Sequence, residues 1–190
     1  MYTPDQVRAA EQPLLARLGE KLMLSAAFAV AVECARLLDH HPYGKRVLVL
    51  AGSGGNGGDA LYAAEELERR GAHITVWQTS TGLHHAYRRP EEPTAAAAAR
   101  ADLIIDGVVG IGASGGLRGE AAQAASIIAE HATCPVVAVD IPSGVDPMTG
   151  APGERYIRAT STVTFGGLKP VHVLGWEYCG EGVLRGLGIG

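Results

Sequence analysis

The stretch Val47-Leu48-Val49-Leu50-Ala51-Gly52-Ser53-Gly54-Gly55-Asn56-Gly57-Gly58-Asp59 restricts the fold more than any other part of the chain. Unbroken apolar residues lead into five glycines within seven positions (Gly52 to Gly58), and a helical pattern follows from Asp59 to Arg70. An apolar run of this length before a tight turn and a helix reads as a strand buried on both faces, the pattern of a parallel sheet. The glycines let the backbone approach a ligand closely. The helix after them points its free N–H groups at whatever occupies the turn, so the turn reads as an anion site for a phosphate-bearing ligand.

From Arg46 onward, strand-like and helical patterns alternate. Strands are expected at Val47–Ala51, Ile74–Gln78, Leu103–Asp106, Val136–Asp140 and Thr162–Phe165, and a short last one near Val183–Leu187. Helices are expected at Asp59–Arg70, Thr94–Ala101 and Glu120–Ala132, with Thr79–Pro93 as a surface loop. Such alternation implies an α/β fold, with right-handed crossovers on a parallel sheet and helices on both of its faces. Two helices precede this core. The first has a capping box from Thr3 to Gln6 with Pro4 at the first helical position, repeats Val7, Ala10, Leu14 and Leu18, and stops at Gly19. The second, Leu22 to Leu38, is apolar on much of its surface, so it is expected to be buried or at an interface. The 190 residues hold neither a repeat nor a linker, and read as one domain with the helices of residues 1–41 packed on a core of residues 45–190.

A formal net charge of −4 with scattered Lys and Arg argues against a nucleic-acid partner. Cys34, Cys134 and Cys179 are far apart and read as reduced thiols. The first residues lack the basic and apolar regions of a signal peptide, and the apolar stretch Leu22–Ala35 is too short to span a bilayer. A soluble, cytoplasmic protein is expected.

Three expected strands end in polar, glycine-rich turns: Gly52–Asp59, Asp106–Gly116 and Asp140–Asp146. In an open α/β sheet, ligands bind beyond the carboxyl ends of the strands. Asn56, Asp59, Asp106, Asp140 and Ser143 should therefore share one edge, although helix capping is an equally good reading of Asp59. Gly52, Gly54 and Gly57 match G-x-G-x-x-G, but the second strand ends Val76-Trp77-Gln78-Thr79 with no carboxylate to hold a ribose. A bound redox dinucleotide is therefore not expected. Gly112-Ala113-Ser114-Gly115-Gly116 matches G-x-S-x-G, but Ser114 lies too far from its strand for a nucleophile elbow. A serine hydrolase completed by His172 is the weaker alternative.

GSGGNGGDA, DGVVGIGASG and VVAVDIPSGVDPMTG, followed by ATSTVTFGGLKP, together resemble the NAD(P)H-hydrate epimerase family, the N-terminal module of bacterial bifunctional hydrate-repair enzymes. The resemblance runs nearly end to end. It implies a Rossmann-like α/β/α sandwich, a homodimer, and interconversion of the R and S epimers of hydrated NADH or NADPH at C6 of the nicotinamide ring. The dinucleotide would then be the substrate, and no redox cofactor is implied. The resemblance also implies one potassium ion per subunit, with ligands at Asn56, Asp106 and Ser143. Substrate contacts would fall on Gly55, Asn56, Gly57, Gly58 and Asp59, on Gly110, Ile111, Gly112, Ala113, Ser114, Gly115 and Gly116, and on Asp140. An ATP- or ADP-dependent dehydratase, fused or separate, is the implied partner activity. The chain departs from the family pattern at Gly55, where an asparagine is usual, at Ala60, at Ile111 and at Gly186.

Asp140 is the acid/base candidate, because it stands at the end of a fully apolar run. Lys169, near the next strand end, is the second candidate, with a surface charge as its other reading. A catalytically inactive binding module of the same fold is the alternative in a different class.

Overall fold

The computed structural model describes residues 19–80, 94–110 and 116–185, together with Thr3, Gln6, Ala9, Gln12, Pro13 and Arg17. Within the described residues, α1 spans Glu20–Leu37, α2 Gly55–Arg69, α3 Ala95–Arg100, α4 Gly119–His131, α5 Val171–Leu174 and α6 Trp176–Cys179. The strands are β1 Arg46–Ala51, β2 His73–Gln78, β3 Leu103–Gly107, β4 Val136–Val139, β5 Ser161–Phe165 and β6 Glu181–Arg185. They form one six-stranded, all-parallel sheet in the order β2-β1-β3-β4-β5-β6. The chain leaves β1 toward β2 and then crosses back to β3. The direction of winding therefore reverses between β1 and β3, where such sheets open a crevice at the carboxyl ends of their strands.

The apolar runs supply both faces of the sheet. Val47, Val49, Ala51, Ile105 and Val137 pack with Val30, Cys34, Leu61 and Leu67 of α1 and α2. Leu48, Leu50, Ile104 and Val136 point the other way, against Ala98 of α3 and Ala124 and Ile128 of α4. These are the three layers of an α/β/α sandwich. Each fully buried Leu, Ile or Val contributes about 1.5–3 kcal/mol, so the alternation along β1, β3 and β4 holds both helical layers to the sheet. A smaller cluster of Ile141, Val145, Val171 and Cys179 anchors α5 and α6.

The N-terminal capping box is formed. Thr3 N–H donates to Gln6 Oε1 (2.8 Å), and Gln6 N–H donates to Thr3 Oγ1 (3.2 Å). The apolar helix α1 buries Val30, Ala31 and Cys34 and leaves Leu24 and Phe28 exposed. It also buries Glu33, which pairs with Arg36 (2.7 Å) and accepts from Ser161 Oγ (2.7 Å) on β5.

Several boundaries differ from the sequence expectations. Helix α2 begins at Gly55, four residues before Asp59, so Asp59 lies in its second turn and is not a cap. Glycine disfavours helices, but here close approach requires it. A methyl group at Gly57 would overlap the Gly52 carbonyl, and one at Gly52 would overlap the Val108 carbonyl. β4 stops at Val139, because Asp140 takes a left-handed conformation. β6 starts at Glu181, two residues before the expected start, and the expected end at Leu187 lies outside the described residues. The glycine-rich segment after Phe165 carries the two short helices α5 and α6, for which no helix is expected from sequence. No helix among the described residues is long and apolar enough to cross a membrane.

Candidate active site

The turn after β1 sits between two other strand ends. Asn56, in the first turn of α2, donates from Nδ2 to Val109 O (3.1 Å), just past β3, and to Val139 O (2.6 Å), the last residue of β4. Its Oδ1 faces Gly110, where an added Cβ would come within 2.9 Å. A single amide thus ties three strand ends together. Gly54 and Gly55 are exposed, and a side chain at either would meet nothing. Gly57 and Gly58 are buried in packing. The glycine set is therefore divided: Gly52 and Gly57 bring backbones together, while Gly54 and Gly55 keep the N-terminus of α2 open.

Asp106, on β3, is fully buried. Its Oδ1 accepts from Ser143 Oγ (2.6 Å) and Val108 N–H (3.3 Å), and its Oδ2 accepts from Ser143 N–H (2.8 Å). Ser143 Oγ in turn accepts from Val109 N–H (3.1 Å). Burial raises the Asp106 pKa from 3.8 to about 6, against the lowering effect of the Ser143 and Val108 hydrogen bonds. Among the described residues, no cationic side chain pairs with Asp106. The residues expected at a cation site are thus joined in one network, Asn56 reaching Asp106 and Ser143 through Val109.

Asp140 and Lys169 form the second cluster. Asp140 has φ 67, and Ile141 N–H donates back to Val139 O (2.8 Å) across it. This is a γ-turn with positive φ at its centre, a rare and strained conformation for a residue with a side chain. The carboxylate Oδ1 accepts from Thr164 Oγ1 (2.9 Å) and pairs with Lys169 Nζ. The Lys169 Nζ also donates to Thr164 Oγ1 (3.0 Å) and Phe165 O (3.0 Å) and is 1% exposed, so the surface-charge reading of Lys169 is excluded. A buried pair with each charge held by further hydrogen bonds escapes most of the penalty of an isolated buried charge.

The sequence assigns two participants no part in this cluster: Thr164 is not singled out, and His172 is considered only for a serine triad. Thr164 is one β-branched residue among several in Thr162–Phe165. His172 follows Lys169 by three residues, a spacing that gains meaning only once Val171–Leu174 is known to be helical. Lys169 N–H donates to His172 Nδ1 (2.9 Å), and His172 Nε2 contacts Asp140 O (2.8 Å). Both ring nitrogens are engaged by backbone, so His172 has none left to serve as the base of a serine nucleophile. Burial, foremost, lowers its pKa and keeps the ring neutral.

Gly110, Gly116, Ile141 and Gly144 line a cavity of about 260 Å³ beside these clusters. Ile111, Gly112, Ala113, Ser114 and Gly115 lie outside the described residues. The described residues hold no cluster of three His, Cys, Asp or Glu side chains suited to a metal ion.

Residues 19–171 match the family described as YjeF-related protein N-terminus. The chain is 46% identical over 198 residues to the bifunctional NAD(P)H-hydrate repair enzyme Nnr of Mycobacterium tuberculosis, covering 99% of this chain and 41% of that protein. It therefore spans less than half the length of this relative. It is 41% identical over 190 residues to the NAD(P)H-hydrate epimerase of Clavibacter sepedonicus, covering 89% of this chain and 81% of that protein. The crystal structure of yeast ynu0 has the same fold, with a TM-score of 0.73 at 22% identity over 87% of this chain and 81% of that one. On the family match and these identities, the chain belongs to the family of YjeF-related protein N-termini.

Proposed function

We propose that the protein epimerises hydrated NADH and NADPH, interconverting the R and S forms at C6 of the nicotinamide ring in the repair of damaged nucleotide. The observation that carries this reading is the buried Asp140–Lys169 pair at the carboxyl end of the sheet, beside the open N-terminus of α2. The names of the similar proteins point the same way.

Epimerisation is redox-neutral and needs no net proton, so it calls for an acid and a base at the same carbon. Asp140 and Lys169 supply both. As the C6–O bond breaks, the ring nitrogen next to C6 supplies an electron pair, and the Lys169 ammonium can give its proton to the departing oxygen. Return of water to the other face re-forms the bond, and the released proton restores the pair. The substrate phosphates would sit over the α2 N-terminus, with Gly55 and Asn56 at its rim and Gly110 and Gly116 opposite.

Asp106, Ser143 and Asn56 would hold a potassium ion. The fit rests on a fully buried carboxylate that has no cationic side-chain partner among the described residues and on hard oxygen donors around it. When bound, the ion supplies fixed positive charge where the turns after β3 and β4 meet. The proposal extends to a cytoplasmic homodimer working with an ATP- or ADP-dependent dehydratase. The test is to supply the pure R epimer and follow formation of the S epimer. A rate equal to the spontaneous one would sink the proposal. So would an Asp140→Asn variant that stays folded and keeps full turnover.

A further inference from the structure

We infer that His172 is a positioning residue: its imidazole pins the main chain of Asp140 and of Lys169 at once and so holds the two side chains in register. This inference rests on the reading of Asp140 and Lys169 as the reacting pair. The geometry carries it. Asp140 stands at the centre of a positive-φ γ-turn, a conformation that an aspartate keeps only when its surroundings enforce it. Three groups enforce it. Asp140 N–H donates to Val163 O (2.8 Å), Asn56 Nδ2 donates to Val139 O (2.6 Å), and His172 reaches Asp140 O (2.8 Å). Of these, only His172 also fixes the second partner.

The hydrogen bonds define the tautomer. Lys169 N–H is a donor, so Nδ1 of His172 must be the acceptor and carries no proton. Asp140 O is an acceptor, so Nε2 carries the proton and donates it. The ring is a neutral bridge between two backbones, one side of it on each residue of the pair. Val171, buried beside it, seats the short helix from which the ring projects. Both hydrogen bonds of the ring go to main-chain atoms, not to the Asp140 carboxylate or the Lys169 ammonium. Its effect on the reaction therefore passes through their placement.

The experiment uses the full chain and its epimerisation kinetics. His172→Phe keeps a ring of similar shape but loses both hydrogen bonds. His172→Gln keeps one acceptor and one donor, spaced much like the two ring nitrogens. The expected result is a fall in kcat of about ten- to hundred-fold for His172→Phe, the scale of a small misplacement of reacting groups. KM should stay within about two-fold, because substrate binding is not the step affected. His172→Gln should recover most of the loss. A long-range ¹⁵N–¹H spectrum of the labelled wild-type protein should show His172 with a protonated Nε2 and a bare Nδ1. The inference is overturned by a His172→Phe kcat within about two-fold of wild type, by a glutamine variant no better than phenylalanine, or by a protonated Nδ1. Should His172→Phe fail to fold, the glutamine kinetics and the ring spectrum still decide the matter. An inactive wild-type chain would instead overturn the proposed function, and the spectrum alone would then support or sink the bridging tautomer.

Discussion

The proposed potassium site predicts that removing the ion destabilises the protein in a way that depends on pH, and Asp106 sets both the size and the sign. Its pKa is 3.8 when unfolded and about 6 when folded, because burial disfavours the charged form. Between those two values the folded protein binds a proton that the unfolded chain releases. Stability without the ion therefore falls as pH rises through this window, and the cost is complete above it. A shift of this size corresponds to about 3 kcal/mol. A cation beside the carboxylate reverses the preference and can recover up to that amount. For a chain of this length, each kcal/mol moves Tm by about 2–4 °C, so saturating potassium should raise Tm by on the order of 6–12 °C.

The assay is thermal unfolding in potassium chloride and in choline chloride at equal ionic strength, at about pH 8 and about pH 4. The potassium gain should be present at the higher pH and nearly absent at the lower one, where Asp106 is protonated and a cation has little to neutralise. Asp106→Asn should be insensitive to potassium at both. That variant is close to isosteric; with its NH2 in the place of Oδ1, Ser143 Oγ can turn to accept from it, at the cost of the weaker Val108 N–H hydrogen bond. Equal potassium gains at the two pH values, or an undiminished gain in Asp106→Asn, would refute the reasoning.

Other outcomes follow from the same geometry. Lys169→Met should cost about 3–5 kcal/mol in denaturant unfolding because it strands a buried carboxylate, and adding Asp140→Asn should restore part of that loss. Additive costs would show that the two side chains do not share their stabilisation. Gly57→Ala should destabilise by about 1–3 kcal/mol, since its methyl group meets the Gly52 carbonyl, whereas Gly55→Asn should stay within about 0.5 kcal/mol of wild type. Equal denaturant midpoints for the two glycine variants would contradict the division of the loop. A thiol reagent should label half-buried Cys134 first, and Cys34 and Cys179 only on unfolding, because the latter two are buried. Fast labelling of Cys34 in the native protein would contradict the placement of α1.

The fold was legible where the sequence pattern follows from packing alone. Val47–Ala51, Leu103–Ile105 and Val136–Val139 are continuous apolar runs because both faces of a parallel strand are covered. The strand ends were legible for the same reason, since a polar residue straight after such a run must meet something other than core. Two boundaries were obscured by glycine and by strain. Gly55–Gly58 look like a loop by propensity, yet they form the first turn of α2, because the close approach of Gly52, Gly57 and Val108 outweighs a helix cost of about 1 kcal/mol per glycine. Asp140 looks like the last residue of β4, and nothing in its identity announces a left-handed γ-turn. The partners of Asp140 were hidden for a further reason. Thr164 and His172 acquire their roles from contacts over 24 and 32 residues, which no local period encodes.

The two buried aspartates solve one electrostatic problem in opposite ways, and that contrast assigns their roles. Asp140 has a lysine ammonium within its own cluster, so the pair carries no net charge as folded. Asp106 is held by a hydroxyl and two backbone N–H groups and meets no positive side chain among the described residues. Hydrogen bonds alone leave its ionised form disfavoured, which is why its pKa rises with burial. That condition supports the proposed cation site, where positive charge arrives from outside the chain. Swapping the two environments would remove both proposed roles: a lysine beside Asp106 would fill the place proposed for the cation, and an unpaired Asp140 would lose its ammonium partner.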